Sequence, residues 1–250
     1  MPKPLPIKLK SEPLVEAVCQ LRMSGNVALS TLFPGLLLSR FPADVAEVLQ
    51  LPTAMIPEQM RAMQPEMAFA PLVQLKFKNV SVLIGERAIT VSNPAPYLGW
   101  DGFKPLIVEV FTALLESKLV SLVERYSLKY TNVIPTDQSS DSLNALALEL
   151  KVGQLELNQR ATMVRTETVT DELVTIITLS GRATVQAEGR AAVQGILVDV
   201  DTICQNKSQA AESFAPSMSS ELDRVRGVNK KAFFECLTDE GIHALEPIYQ

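Results

Sequence analysis

The chain reads as an α+β protein built on antiparallel β-sheets, with helices packed on one face and two intimately packed halves. Three observations point there. An amphipathic helix beginning near Asp101 is followed by a well-alternating strand, Arg125–Ile134. Past residue 144, short β-branched segments recur with turns between them, as in an antiparallel sheet. The strict strand–helix alternation of a doubly wound parallel sheet is absent.

Taken in order, residues 1–13 carry Pro2, Pro4, Pro6 and Pro13, which predict an extended arm. In Leu14–Met23, Val15, Ala17, Cys19 and Leu21 share one face, so the segment reads as a strand. A broken helical period suggests one short helix near 28–40 and a second near 43–49. Residues 52–71 hold four prolines, which exclude one continuous helix. They also hold Met55, Met60, Met63 and Met67. Methionines there suit either an adaptable binding surface or, more plainly, a loop that covers the core.

Leu72–Phe77 and Val80–Ile84 read as strands, with a third, short one at Glu86–Val91. Asp101 is the expected N-cap of the central helix, with Pro105 in its first turn. Phe103, Leu106, Ile107, Val110, Phe111, Leu114 and Leu115 form its apolar stripe. In the next strand Tyr126, Leu128, Tyr130 and Ile134 share a face, which Asn132 interrupts. The polar stretch 135–144 suggests a boundary between an N-terminal α+β half, 1–136, and a β-rich half with a C-terminal helix, 137–250. Strands are expected at 145–150, 160–169, 173–180, 182–187 and 195–203, with Asp171-Glu172 turning one hairpin. After a polar linker, 206–220, a helix carries Leu222, Val225, Phe233 and Leu237, weakened at Gly227. Thr238 caps a last short helix, 239–245.

Composition narrows the function classes. At 47% hydrophobic and 20% charged, the 250 residues suit a soluble globular protein. The net charge of −5 and the lack of a long Lys/Arg run argue against nucleic acid as a partner. Cys19, Cys204 and Cys236 have no CxxC spacing, so neither a zinc site nor a disulfide framework is expected, and a cytoplasmic location fits. No apolar run reaches about 18 residues, and the MPKPLPIKLK start lacks an apolar core, so neither a membrane span nor a signal peptide is expected.

Catalytic signatures are sparse. The sole histidine, His243, lies in the expected last helix, where a surface or capping role suits it. Asp199 and Asp201 point to one face of a strand and raise the possibility of a metal-dependent hydrolase, although no further ligands can be assigned. GxGxxG, GxxxxGK[ST] and GxSxG are all absent. No catalytic residue, metal ligand or cofactor is therefore assigned, and the balance tilts away from an enzyme.

Four segments carry a family resemblance: Pro13–Arg22 (PLVEAVCQLR), Asn93–Ile107 (NPAPYLGWDGFKPLI), Arg125–Ile134 (RYSLKYTNVI) and Phe233–Glu240 (FFECLTDE). Together they resemble a sporadically distributed family of uncharacterised prokaryotic proteins of about this length. Ser127 stands where that family's strand has glycine, and Lys129 where it has arginine. The resemblance implies no activity. By association it implies a link to defence or mobile-element operons.

The leading expectation is a non-enzymatic binding or interaction protein with a protein partner or self-association, through residues 52–71 or a sheet edge. The alternative is a small-ligand or nucleotide-sensing domain, with Tyr97, Trp100, Arg125, Lys129 and Asn132 as candidate ligand-binding residues.

Overall fold

The structure, a computed structural model, describes residues 4–135, 143–156, 162–185, 192–205 and 208–249. In chain order its elements are β1 (Lys8–Leu9), β2 (Leu14–Ser24), α1 (Leu29–Arg40), β3 (Val45–Gln50), α2 (Glu58–Ala62), β4 (Val73–Phe77), β5 (Val80–Ile84), β6 (Ala88–Pro94), α3 (Trp100–Glu116), β7 (Leu122–Pro135), β8 (Lys151–Val152), β9 (Leu155–Glu156), β10 (Met163–Thr170), β11 (Leu173–Val185), β12 (Val193–Cys204), β13 (Gln209–Ala210), α4 (Ala211–Phe214), α5 (Met218–Glu235), α6 (Asp239–Ala244) and β14 (Pro247–Ile248). Short 3-10 turns, Pro52–Met55 and Pro65–Phe69, flank α2.

The fold is α+β. Among the described residues, ten strands follow the order β10-β11-β12-β7-β2-β6-β5-β4-β3, with β13 beside β7. The ladders β10–β11, β3–β4, β4–β5 and β5–β6 are antiparallel. Two compact units divide the chain. Unit one comprises Met1–Glu16, Lys129–Thr202 and Arg226–Gln250; unit two comprises Ala17–Leu128 and Ile203–Val225. The divisions fall inside β2, β7, β12 and α5. Of the stretch where the sequence suggested a boundary, residues 136–142 lie outside the described residues.

In unit two, alternation along the strands does the work. Leu75 and Phe77 of β4, and Val82 and Ile84 of β5, are fully buried, while their neighbours are not. Helix α1 packs on β4 and β5, and α3 on β6 and α1. Of the expected α3 stripe, Phe103, Ile107, Val110, Phe111 and Leu114 are fully buried and Leu115 is buried, while Leu106 is half-buried. Full burial of each contributes roughly 1.5–3 kcal/mol.

Three expectations are corrected here. The α3 N-cap is Gly99, at φ +74°, and Asp101 lies inside the first turn. Gly99 tolerates that left-handed backbone because it has no Cβ. Pro105 therefore lies two residues deeper than expected, at a position that cannot bond the Asp101 carbonyl. Residues 43–49 do not form a helix: Val45–Gln50 is a strand paired with β4. Its Val-rich run fits either period, and main-chain pairing decided the outcome. Residues 145–150 contribute only a bridge, Leu146 to Leu237, instead of a strand.

In unit one, β11 merges the two strands expected at 173–180 and 182–187, as far as the described residues reach. Of the strand expected at 160–169, residues 160 and 161 lie outside the described residues. The core gathers Ile134, Ile196, Val198, Val200, Phe233 and Phe234. The proline arm is tied down by β1, which pairs with β14. The Thr238 hydroxyl accepts the Gly241 N–H at 3.0 Å, which caps α6 as expected. Helix α5 runs unbroken through Gly227.

Two glycines give opposite predictions. A Cβ on Gly195 of β12 would stand 2.1 Å from the Ile134 carbonyl oxygen of β7. Gly195→Ala therefore lowers stability by about 1–3 kcal/mol in urea unfolding, because backbone must move. A Cβ on Gly227 meets nothing within 4 Å. Gly227→Ala raises stability by about 0.5–1 kcal/mol in the same measurement.

Candidate functional site

The five candidate ligand-binding residues fall in both units. Tyr97, Trp100 and Arg125 belong to unit two; Lys129 and Asn132 belong to unit one. Tyr97 stacks edge-on against Phe103 with ring centroids 6.1 Å apart. Trp100 is half-buried, and its indole N–H donates to Asp223 at 2.9 Å. Lys104 meets the other oxygen of Asp223 at 2.6 Å. Burial acts to raise the Asp223 pKa, but the Lys104 and Trp100 bonds outweigh it, so the carboxyl titrates below its ordinary value. Arg125 is half-buried on β7.

In unit one, Lys129 and Thr131 both address Asp199. Lys129 Nζ lies 3.3 Å from one oxygen, and the Thr131 hydroxyl donates to the other at 2.7 Å. Asn132 is buried, and its amide donates to the Val198 carbonyl at 3.2 Å. That bond accounts for an amide on an apolar face, since a buried polar group needs a partner. Among the described residues, no three His, Cys, Asp or Glu side chains converge as metal ligands.

A second polar cluster lies in unit two. The Tyr126 hydroxyl donates to Glu221, which also accepts from Arg224 at 2.7 and 3.0 Å. Arg224 reaches the Cys204 sulfur at 3.7 Å. Burial, reinforced by Cys204 and Glu221, pushes the Tyr126 phenol above its ordinary range. Phenol, guanidinium and carboxylate bond one another, so the cluster ties Tyr126 of β7 to α5. In unit one, burial together with Glu235 raises the Cys236 thiol to about 11, which keeps it protonated and unreactive at neutral pH.

The segment 52–71 is where exposure and order coincide. Met55 is 85%, Met60 58% and Met63 82% exposed, so these three do not cover the core. The segment is nevertheless pinned. Arg61 forms a 2.7 Å ion pair with Glu86, its side chain only 11% exposed, and also donates to the Ile56 carbonyl. Phe69 receives the Arg22 guanidinium 4.2 Å above its ring. Unit two exposes other apolar side chains as well: Leu32, Leu36 and Leu38 of α1 and Val48 and Leu49 of β3. Sequence reasoning missed these leucines. The available signal was that α1 is apolar on every side, whereas a helix with one face to water is normally polar there.

Unit one holds the other feature of note, a cavity of about 610 Å³. Leu5, Pro6, Phe234, Leu237, Ile242 and Tyr249 supply apolar walls, and Lys231, Glu235, Asp239 and His243 add polar groups.

Two measurements check this geometry. Arg61→Ala should cost about 2–3 kcal/mol in urea unfolding and speed amide exchange across 56–67, because it leaves Glu86 without its partner. Tyr126 sets an alkaline limit. Its folded-state pKa is raised above the unfolded value, so its contribution is complete below the unfolded pKa of about 10 and is lost as pH rises towards the folded value. Wild-type protein should therefore lose stability from pH ~10 upward more steeply than Tyr126→Phe in chemical denaturation.

No helix is long and apolar enough to cross a membrane among the described residues. Neither a protein-family model nor a curated protein matches the chain.

Proposed function

We propose that the chain is a non-enzymatic interaction protein that docks an apolar segment of a protein partner on its methionine platform, residues 52–67. One observation carries this reading: Met55, Met60 and Met63 stand in solvent on a segment anchored by the Arg61–Glu86 ion pair. Methionine is flexible and polarizable, so a row of them adapts to differently shaped apolar partners. Anchoring the backbone lowers the ordering cost of binding. The acid–base clusters in both units are internally satisfied, which is consistent with binding in preference to catalysis. The four segments that resemble a family of uncharacterised prokaryotic proteins add, by association, a setting in defence or mobile-element operons.

The test is co-purification from native lysate with wild type and a Met60→Glu/Met63→Glu variant. Both positions are exposed, so the variant should fold normally by circular dichroism. The expected result is a partner recovered with wild type and lost, at least tenfold, with the variant. Equal recovery by both proteins, or no partner with wild type, overturns the proposal.

The unit-one cavity supports a second reading as a small-ligand sensor, for a compound with an apolar body and a charged end. Thermal-shift screening with nucleotides and amphiphilic metabolites should find a stabilising compound whose effect Ile242→Trp removes. No stabilisation by any compound sinks that reading.

A further inference from the structure

Strand β10 ends the strand order in unit one, and β11 is its only strand partner among the described residues. The β10–β11 ladder runs through eight successive pairs without a register shift, Met163↔Ser180 to Thr170↔Leu173. By contrast β3, at the other end of the order, has an irregularity between Val45 and Glu47, which blunts an edge.

Which main-chain groups of β10 face outward follows from the ladder. The Gly181 N–H donates to the Thr162 carbonyl at 3.0 Å. Alternation along an antiparallel ladder then commits Val164, Thr166, Thr168 and Thr170 to β11. Met163, Arg165, Glu167 and Val169 direct their N–H and C=O groups to the open edge. Their side chains share one face of the strand. Met163 and Val169 are each 71% exposed, and Arg165 and Glu167 pair at 2.9 Å with more than half of each side chain exposed.

The run Thr162–Thr170, TMVRTETVT, is self-complementary when read against its own reverse. With Thr166 at the centre, Arg165 falls opposite Glu167, and Met163 opposite Val169. Moving the centre by one residue sets Arg165 against Arg165 or Glu167 against Glu167, and like charges directly opposite are destabilising. The same two charges that discourage indiscriminate edge pairing favour one register.

We propose that β10 pairs antiparallel with β10 of a second copy of this chain, about a two-fold axis through Thr166. The contact uses the open main-chain groups of Met163, Arg165, Glu167 and Val169. It adds two Arg165–Glu167 pairs and two Met163–Val169 contacts between copies. Such a contact is isologous and closed, so it yields a dimer and leaves no β10 edge to extend the assembly. It is small, so the dimer is weak and reversible. This surface is distinct from the methionine platform, and the two proposals stand or fall separately.

Sedimentation velocity on the full chain tests the proposal. At ~100 µM, a concentration suited to a small interface, wild type should contain dimer. Arg165→Glu and Glu167→Arg should each raise the dissociation constant roughly tenfold or more, since every cross-strand pair becomes like-charged. An equimolar mixture of the two single variants should recover dimer, as should the double variant R165E/E167R. Glu167→Pro removes an outward N–H without touching the β11 ladder, so it should fold and remain monomeric. The proposal is overturned by a monomeric wild type at that concentration, by single reversals that leave the dimer unchanged, or by a folded Glu167→Pro variant that still dimerises.

Discussion

Main-chain hydrogen bonding along an antiparallel ladder governs most of what this molecule offers to its surroundings. A strand with a neighbour on each side commits its N–H and C=O groups to those neighbours, and satisfied groups invite no partner. In the observed order, open main-chain groups are concentrated on the outermost strands, β3 and β10. The two are treated differently. Strand β3 carries a register shift, and the exposed Glu47–Lys76 ion pair lies beside it. Strand β10 is regular throughout and carries charges that fit its own reverse.

The polar interior obeys a related constraint. Buried polar groups favour bonded partners, and several here have them: the Asn132 amide donates to the Val198 carbonyl, the Asn229 amide to the Val200 carbonyl and Thr202, and Thr175 bonds Thr202. Tyr126, Glu221 and Arg224 close a similar circle in unit two. Networks of this kind specify the packing of a core. On the surface, Met55, Met60 and Met63 and the outer leucines of α1 place apolar area against water.

Much of the fold was legible in the sequence. The α3 stripe and the β7 alternation each followed from spacing alone, because side-chain direction has a fixed period in a helix and in a strand. The Thr238 cap was legible because its chemistry is local. The misreadings share one cause. Residues 43–49 fit either period, and only pairing with β4 made them a strand. Residues 145–150 alternate leucine with smaller or polar residues, as a strand does, yet among the described residues no neighbouring strand takes them up and only Leu146 bridges to Leu237. The exact start of α3 depended on the left-handed turn at Gly99, a backbone state that nearby residue types do not announce.

Of the candidate ligand residues, the sequence identified polar and aromatic side chains in conspicuous places but not their partners. Lys129 meets Asp199 seventy positions away, and Trp100 meets Asp223 well over a hundred positions away. The sequence by itself determined the fold class and the apolar faces of α3 and β7, since each depends on residue type and local period. Only the tertiary structure decided that the methionines stand in solvent, that Arg61 pins them, and that β10 lies at an edge. Those properties belong to pairs of residues far apart in the chain, and the free energy of bringing them together is not written in either one.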